Sequence, residues 1–256
     1  MKVGCCAYSY RDIFKSEGKP LEWFVEECSK LGLDGVELTS YYFSKTSDDY
    51  LFSLKRLSAS CGLDIYATAT GSKFTHPEEN KRREEIENVK RWLDISQILG
   101  APCLRVFGGA LPEGFSEEEV LSWTASSLRQ CASYGAKRGV VVALENHGGI
   151  TQTAELTLAL REKVNHEWLA INLDTGNYSK DPYREIQITA PYASLVHAKI
   201  STNSPQGRET LDYKKVVDIL HKANYRGYLS IEYEEKEDPL TAIPKFAARL
   251  KEALKP

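Results

Sequence analysis

Eight short apolar runs recur along the chain, each followed by a longer segment with helical periodicity. Most of the runs are nearly continuous in apolar residues, which is typical of parallel strands buried on both faces. The longer segments carry helix signals such as Ser116 followed by Glu119, the spacing of a capping box. The runs occupy residues 2–7, 35–39, 63–69, 103–107, 140–145, 169–174, 195–200 and 228–232.

Eight strand–helix units predict an α/β protein built as a closed (β/α)8 TIM barrel. The 256 residues suit one such barrel, so we expect a single domain spanning residues 1–256. An open, doubly wound sheet is the alternative. The phosphate-binding pattern G-x-G-x-x-G, which often follows the first strand of such sheets, is absent here.

The composition and net charge of the chain give no indication of nucleic acid or membrane as a partner. The net charge of -3 gives no general attraction for nucleic acid. No run of about 18 apolar residues predicts a membrane span, and the first residues resemble a strand more than a signal peptide. The six cysteines include no C-x-x-C pair and lie mostly in apolar runs, which favours reduced thiols in a cytoplasmic protein.

Four ionisable side chains follow one another at the ends of the last four predicted strands. They are Glu145, Asp174, His197 and Glu232. Adjacent strand ends converge at the mouth of a barrel, where the chemistry of this fold takes place. Three carboxylates together would repel each other unless a cation lies between them. One divalent ion, Mn²⁺, Mg²⁺, Co²⁺ or Zn²⁺, suits this oxygen-rich set with one imidazole; a salt-bridge cluster without metal is the alternative.

The runs ALENHGG, NLDTGN, VHAK and SIEYE, in this order, resemble the xylose-isomerase-like sugar phosphate isomerase/epimerase superfamily over essentially the whole chain. The resemblance implies that Glu145, Asp174, His197 and Glu232 bind one metal ion. It also implies that Glu145 and Glu232 are the catalytic acid and base. The implied reaction is isomerisation or epimerisation of a small sugar, sugar phosphate or polyol, through proton abstraction and a metal-stabilised enediolate.

Five further residues near the predicted mouth are candidates for substrate binding. Each also has a structural interpretation, such as a helix cap, a loop contact or an ion pair inside the barrel. Lys199 shares strand parity with His197, so both side chains are predicted to point inward. The candidates are His147, Lys199, Glu37, Arg105 and Asn177.

Two departures separate the chain from relatives in the superfamily. Lys199 is followed by Ile200 and Ser201 where many relatives have an acidic residue, and Gly176 and Asn177 stand where ketose 3-epimerases usually have a histidine. These departures argue against a close match to the ketose 3-epimerases. A dehydratase or lyase acting on a polyol or keto-acid, which would begin with the same proton abstraction, is an alternative, as is a non-catalytic sugar-binding barrel. An endonuclease with three zinc ions would need more than the five histidines present. A homo-oligomer is compatible with the sequence but not required by it.

Overall fold

The computed structural model describes residues 1–255, and at its centre eight parallel strands close into a barrel. Neighbours around the barrel follow the order β1-β10-β7-β6-β5-β4-β3-β2. The other two strands, β8 and β9, form an antiparallel hairpin after β7. The strands are β1 (Lys2–Cys6), β2 (Gly35–Thr39), β3 (Asp64–Ala69), β4 (Cys103–Phe107), β5 (Val141–Glu145), β6 (Leu169–Asp174), β7 (Ala193–Ala198), β8 (Ser201–Ser204), β9 (Gly207–Thr210) and β10 (Tyr228–Ile231).

Helices surround the barrel and alternate with its strands. The predicted capping box is confirmed, because Ser116 Oγ accepts from the Glu119 N–H and the Glu119 carboxylate accepts from the Ser116 N–H. Among residues 1–255, no helix is both long and apolar enough to cross a membrane. The helices are α1 (Arg11–Glu17), α2 (Leu21–Lys30), α3 (Asp48–Ser60), α4 (Glu79–Leu99), α5 (Glu117–Ala136), α6 (Ala154–Val164), α7 (Pro182–Thr189), α8 (Tyr213–Lys222) and α9 (Pro239–Ala253), with 3-10 turns at Ala7–Tyr10, Ser40–Tyr42 and Ala190–Tyr192.

The predicted barrel is confirmed, and the largest difference in strand position concerns the seventh strand. The sequence predicts residues 195–200, whereas β7 runs from Ala193 to Ala198. Ala193 already pairs with Ile171 of β6, and Lys199 and Ile200 leave the barrel toward the hairpin. Apolar content alone therefore placed this strand two residues too late.

The two faces of the barrel wall differ in chemistry. Apolar side chains of strands and helices form one large core between them. Inside the barrel, near the starts of the strands, the Tyr66 ring stacks on Tyr228 with 3.9 Å between ring centroids. Near the other end the buried side chains are polar or charged. They are Glu37, Arg105, Glu145, Asn172, Asp174, His197, Ser230 and Glu232.

Candidate active site

Four buried side chains meet at the carboxyl ends of four adjacent barrel strands. Glu145 and Asp174 end β5 and β6, His197 lies one residue before the end of β7, and Glu232 directly follows β10. One ligand atom from each lies within 4.8 Å of the others. The structure thus brings together the four side chains that the sequence analysis grouped, and their role as metal ligands stays a prediction.

The two oxygens of the Asp174 carboxylate have different surroundings. Oδ1 accepts hydrogen bonds from the backbone N–H groups of Gly176, at 2.8 Å, and Asn177, at 3.1 Å. Oδ2 is buried and accepts no hydrogen bond, although the Lys199 ammonium lies 3.4 Å away. A buried carboxylate oxygen without a donor is costly. This oxygen is therefore available to a cation at the centre of the cluster.

The His197 ring completes the donor set. Its Nδ1 lies 3.3 Å from Glu232 Oε2, 3.5 Å from Glu145 Oε2 and 4.0 Å from Asp174 Oδ2. Three carboxylate oxygens and one imidazole nitrogen suit a small divalent cation such as Mn²⁺, Mg²⁺, Co²⁺ or Zn²⁺. Together with the free Asp174 oxygen, this chemistry fits a metal ion.

Lys199 places a positive charge beside the cluster. Its Nζ lies 2.5 Å from Glu232 Oε2 and also contacts the Glu234 carboxylate. Burial disfavours the charged amine, but Asp174, Glu232 and Glu234 together raise the pKa of Lys199 well above its ordinary value. Lys199 is therefore a fixed cation beside two of the four predicted ligands.

Nearby cationic groups do not compensate the negative charges of the three carboxylates equally. Burial disfavours ionisation of all three, but Arg105 and His147 still lower the pKa of Glu145. His197 and Lys199 likewise hold the pKa of Glu232 well below its usual range. Burial, opposed by Lys199, raises the pKa of Asp174 to about 7. Asp174 is thus the carboxyl group that would gain most from an added cation.

Amide side chains hold the Glu145 carboxylate in place. Asn172 Nδ2 donates to Glu145 Oε2 at 2.9 Å and lies 3.2 Å from His197 Nδ1. Asn177 Nδ2 donates to the Asn146 carbonyl at 2.9 Å and to Glu145 Oε1 at 3.5 Å. Asn172 was not among the residues predicted from the sequence. A polar residue inside the apolar run LAINLD, with the strand parity of Asp174, was the signal that could have found it.

Two of the predicted substrate-binding residues lie deeper than the mouth. Glu37 is 0% exposed and sits behind His197, with both carboxylate oxygens 3.0 Å from His197 Nε2. Arg105 is 2% exposed, with Nε 3.2 Å from Glu145 Oε2 and its guanidinium 4.1 Å from the Phe107 ring centroid. Their immediate contacts are with cluster residues, so these positions support a role in holding the cluster.

The other three predicted substrate-binding residues lie nearer the opening. The His147 side chain is 51% exposed, packs on Phe107 and places Nδ1 2.9 Å from Glu145 Oε1. Lys199 and Asn177 line a polar cavity of about 310 Å³, with Arg11 and Arg208 on its walls. Arg11, the first residue of α1, was not among the residues predicted from the sequence.

A family model described as the xylose isomerase-like TIM barrel matches residues 25–253. The chain belongs to this family. Membership confirms the resemblance carried by ALENHGG, NLDTGN, VHAK and SIEYE, and it agrees with the closed barrel.

Two curated relatives come from Haemophilus influenzae. A putative L-ribulose-5-phosphate 3-epimerase, SgbU, is 24% identical over 191 residues, which cover 66% of this chain and 65% of the relative. A 2-oxo-tetronate isomerase is 21% identical over 167 residues, covering 60% of this chain and 64% of the relative. The match therefore spans slightly less than two thirds of each relative's length.

One similar solved structure is D-psicose 3-epimerase of Clostridium cellulolyticum H10, determined with D-tagatose. It superimposes with a TM-score of 0.83 at 17% identity, and the match covers 100% of both chains. At this level of identity the likeness shows a shared fold.

Proposed function

We propose that this protein is a divalent-metal-dependent isomerase or epimerase of a small sugar, sugar phosphate or polyol. The observation that carries the proposal is the buried cluster at the barrel mouth, with one oxygen of Asp174 left without a hydrogen bond. Lys199 forms an ion pair with this oxygen at 3.4 Å but donates no hydrogen bond to it, so a ligand position remains for a metal ion. The similarity to a putative L-ribulose-5-phosphate 3-epimerase and to a 2-oxo-tetronate isomerase supports the same class of reaction.

The cation would be held by Glu145, Asp174, His197 and Glu232. When bound, it would supply Lewis-acid stabilisation of negative charge on a substrate carbonyl and its neighbouring hydroxyl. The chain itself orients the site beforehand, since Asp174 Oδ1 is fixed by two backbone amides and Glu145 by Asn172. This order reduces the rearrangement that ion and substrate binding require.

Glu145 and Glu232 are the proposed proton-transfer groups. One carboxylate would take a proton from a carbon next to the carbonyl, and the other would return a proton to the same or the adjacent carbon. Glu145 Oε1 lies 2.9 Å from His147 Nδ1, and His147 is partly exposed. A proton on Glu145 therefore has a short route to solvent through His147. Glu232 has no such exposed partner, because its Oε2 is held by Lys199 and His197.

Residues around the opening would bind the rest of the substrate. Lys199 Nζ lies close enough to the cluster to neutralise negative charge that develops on a substrate oxygen. His147 and Asn177 offer hydrogen-bonding groups to substrate hydroxyls at the entrance. The Phe107 ring, packed against His147, supplies an apolar surface of the kind that sugar rings contact.

We also propose a cytoplasmic location for this enzyme, which the cysteines support. All six are free thiols, and five of them are buried. Free thiols persist in compartments that glutathione and thioredoxin keep reduced.

Metal stoichiometry by native mass spectrometry, after chelation and reloading, tests the cluster without a guess about substrate. We expect one divalent ion per chain in the unaltered protein and none in Asp174→Ala. Asp181→Ala is the matched control, because Asp181 caps α7 away from the cluster and should leave the ion in place. Three ions per chain would point to the endonuclease class, and no ion under any loading would contradict the proposed mechanism.

Deuterium exchange tests the reaction. The metal-loaded protein is incubated in D2O with neutral ketoses, ketose phosphates and 2-keto sugar acids, and the products are followed by NMR. Deuterium on the carbon next to the carbonyl, together with an isomer or epimer, supports the proposal. Loss of water from the substrate would identify a dehydratase instead. Binding of a sugar without exchange or conversion would identify a sugar-binding barrel.

A further inference from the structure

A chain of hydrogen bonds leads from His197 into the interior of the barrel. His197 Nε2 lies 3.0 Å from both carboxylate oxygens of Glu37. Ser230 Oγ donates to Glu37 Oε2 at 2.7 Å, and the Tyr66 hydroxyl donates to Ser230 Oγ at 2.6 Å. All four residues are buried. These hydrogen bonds therefore connect β7 with β2, β10 and β3 across the inside of the barrel.

The hydrogen bonds to Glu37 determine which nitrogen of His197 is available to a metal ion at the cluster. A carboxylate only accepts hydrogen bonds, so the nitrogen facing Glu37 must be the one that carries a proton. This leaves Nδ1 on the side of Glu145, Asp174 and Glu232. A metal ion binds the unprotonated nitrogen of a neutral imidazole.

Ser230 and Tyr66 fix Glu37 in turn. A serine hydroxyl has one proton, and the Tyr66 hydroxyl occupies the acceptor side of Ser230, so the Ser230 proton goes to Glu37. Room for the Tyr66 ring comes from Gly4 of β1 and Gly35 of β2, because a Cβ at either position would overlap the ring. The backbone thus accommodates this hydrogen-bond chain through two residues without side chains.

We propose that Glu37, held by Ser230 and Tyr66, is a positioning residue for His197. It fixes the ring so that Nδ1 is the nitrogen presented to the metal ion, and its negative charge makes that nitrogen a stronger ligand. The proposal rests on the proposed metal-dependent function. It reassigns Glu37, whose contacts lie away from the mouth, from substrate binding to metal affinity.

The test is the dissociation constant of Mn²⁺ or Co²⁺, measured by competition with a chromophoric chelator. Glu37→Gln is expected to weaken binding about 10–100-fold, the usual effect of losing such a partner. The absorption spectrum of the Co²⁺-loaded variant should also shift, since the spectrum depends on the ligand field of His197. Ser230→Ala and Tyr66→Phe remove hydrogen bonds that lie progressively further from the ion. The loss of metal affinity should therefore be smaller for Ser230→Ala than for Glu37→Gln, and smallest for Tyr66→Phe.

Ser96→Ala is the matched control. Ser96 is buried like Ser230, donates to the Trp92 carbonyl at 2.6 Å and pairs with Thr68. Ser96→Ala removes a buried serine hydroxyl that is not part of the hydrogen-bond chain from His197. We expect a comparable loss of unfolding free energy for Ser96→Ala and Ser230→Ala, with metal affinity reduced only in Ser230→Ala. This comparison keeps the test decisive if Glu37→Gln does not fold.

The outcomes separate this inference from the proposed function. If the unaltered protein binds no ion, the proposed function fails and the inference with it. Suppose instead that the unaltered protein binds one ion. If Ser230→Ala, and Glu37→Gln where it folds, then bind the ion with the same dissociation constant as Ser96→Ala, only the inference is overturned. Two ions per chain, with one lost in Glu37→Gln, would make Glu37 a ligand together with nearby Cys6 and would also overturn it.

Discussion

Replacing Lys199 with methionine tests the electrostatic balance of the cluster most directly. The Lys199 ammonium is buried, lies 2.5 Å from Glu232 Oε2 and 3.4 Å from Asp174 Oδ2, and is closer to that Asp174 oxygen than His197 Nδ1 is, at 4.0 Å. Removing one partner of a buried ion pair costs ~3–5 kcal/mol. Asp174 can take up a proton, since its pKa is already raised to about 7, which limits the loss. We therefore expect ~3 kcal/mol, the lower end of that range.

The assay compares thermal unfolding with EDTA and with saturating Mn²⁺. In EDTA, Lys199→Met should lower Tm by about 6–12 °C, because 1 kcal/mol corresponds to roughly 2–4 °C in a chain of this size. With Mn²⁺ most of this difference should disappear, since the ion supplies the charge that the lysine supplied. The affinity for Mn²⁺ should rise, because a repelling cation has been removed.

Lys245→Met is the control for the loss of a lysine ion pair. Lys245 Nζ lies 2.7 Å from Glu237 Oε1, but both side chains are more than half exposed. An exposed pair of this kind contributes ~0–1 kcal/mol, so its Tm should barely change in either buffer. An equal loss of Tm for Lys199→Met with and without Mn²⁺ would refute the view that lysine and metal ion compensate the same carboxylates.

Three further substitutions test other parts of the structure. Glu145→Gln and Glu232→Gln should each lower kcat by about 10²–10⁴-fold, the usual contribution of an acid or base, in a steady-state assay; a variant that retains full kcat has no role in proton transfer. Arg105→Met removes the cation beside Glu145 and should cost ~3–5 kcal/mol in urea unfolding, and a loss below 1 kcal/mol would contradict the buried ion pair. Gly4→Ala should cost ~1–3 kcal/mol by overlap with Tyr66; if Tyr66→Ala does not relieve that cost in a double-mutant cycle, the overlap is not its cause.

The fold was predictable because each barrel strand is buried on both faces, so most of its residues are apolar. The same criterion missed the β8–β9 hairpin, since the segment STNSPQGR is polar and shows no apolar alternation. It also misplaced β7, where Ser194 lies inside the strand but does not look like a strand residue by composition. Sequence therefore predicts strands that the core requires better than strands on the surface.

The candidate site was predictable where position along a strand determines exposure to the mouth. Glu145 and Asp174 end their strands, and the rule that strand ends carry the chemistry finds them. Glu37 and Arg105 lie in the middle of β2 and β4, so their side chains reach the cluster from below. How deep a mid-strand residue sits depends on how the strands tilt and stagger around the closed barrel. The sequence does not contain that information in a form that can be read one strand at a time.

The different surroundings of the two Asp174 carboxylate oxygens have a consequence for the rate of ion binding. With Oδ1 fixed by two backbone amides and Oδ2 left free, the carboxylate is already oriented before an ion arrives. Capture of the ion then requires little more than loss of water from the ion. The association rate should therefore follow the speed at which each cation sheds its hydration shell, and Mg²⁺, which dehydrates reluctantly, should bind more slowly than Mn²⁺.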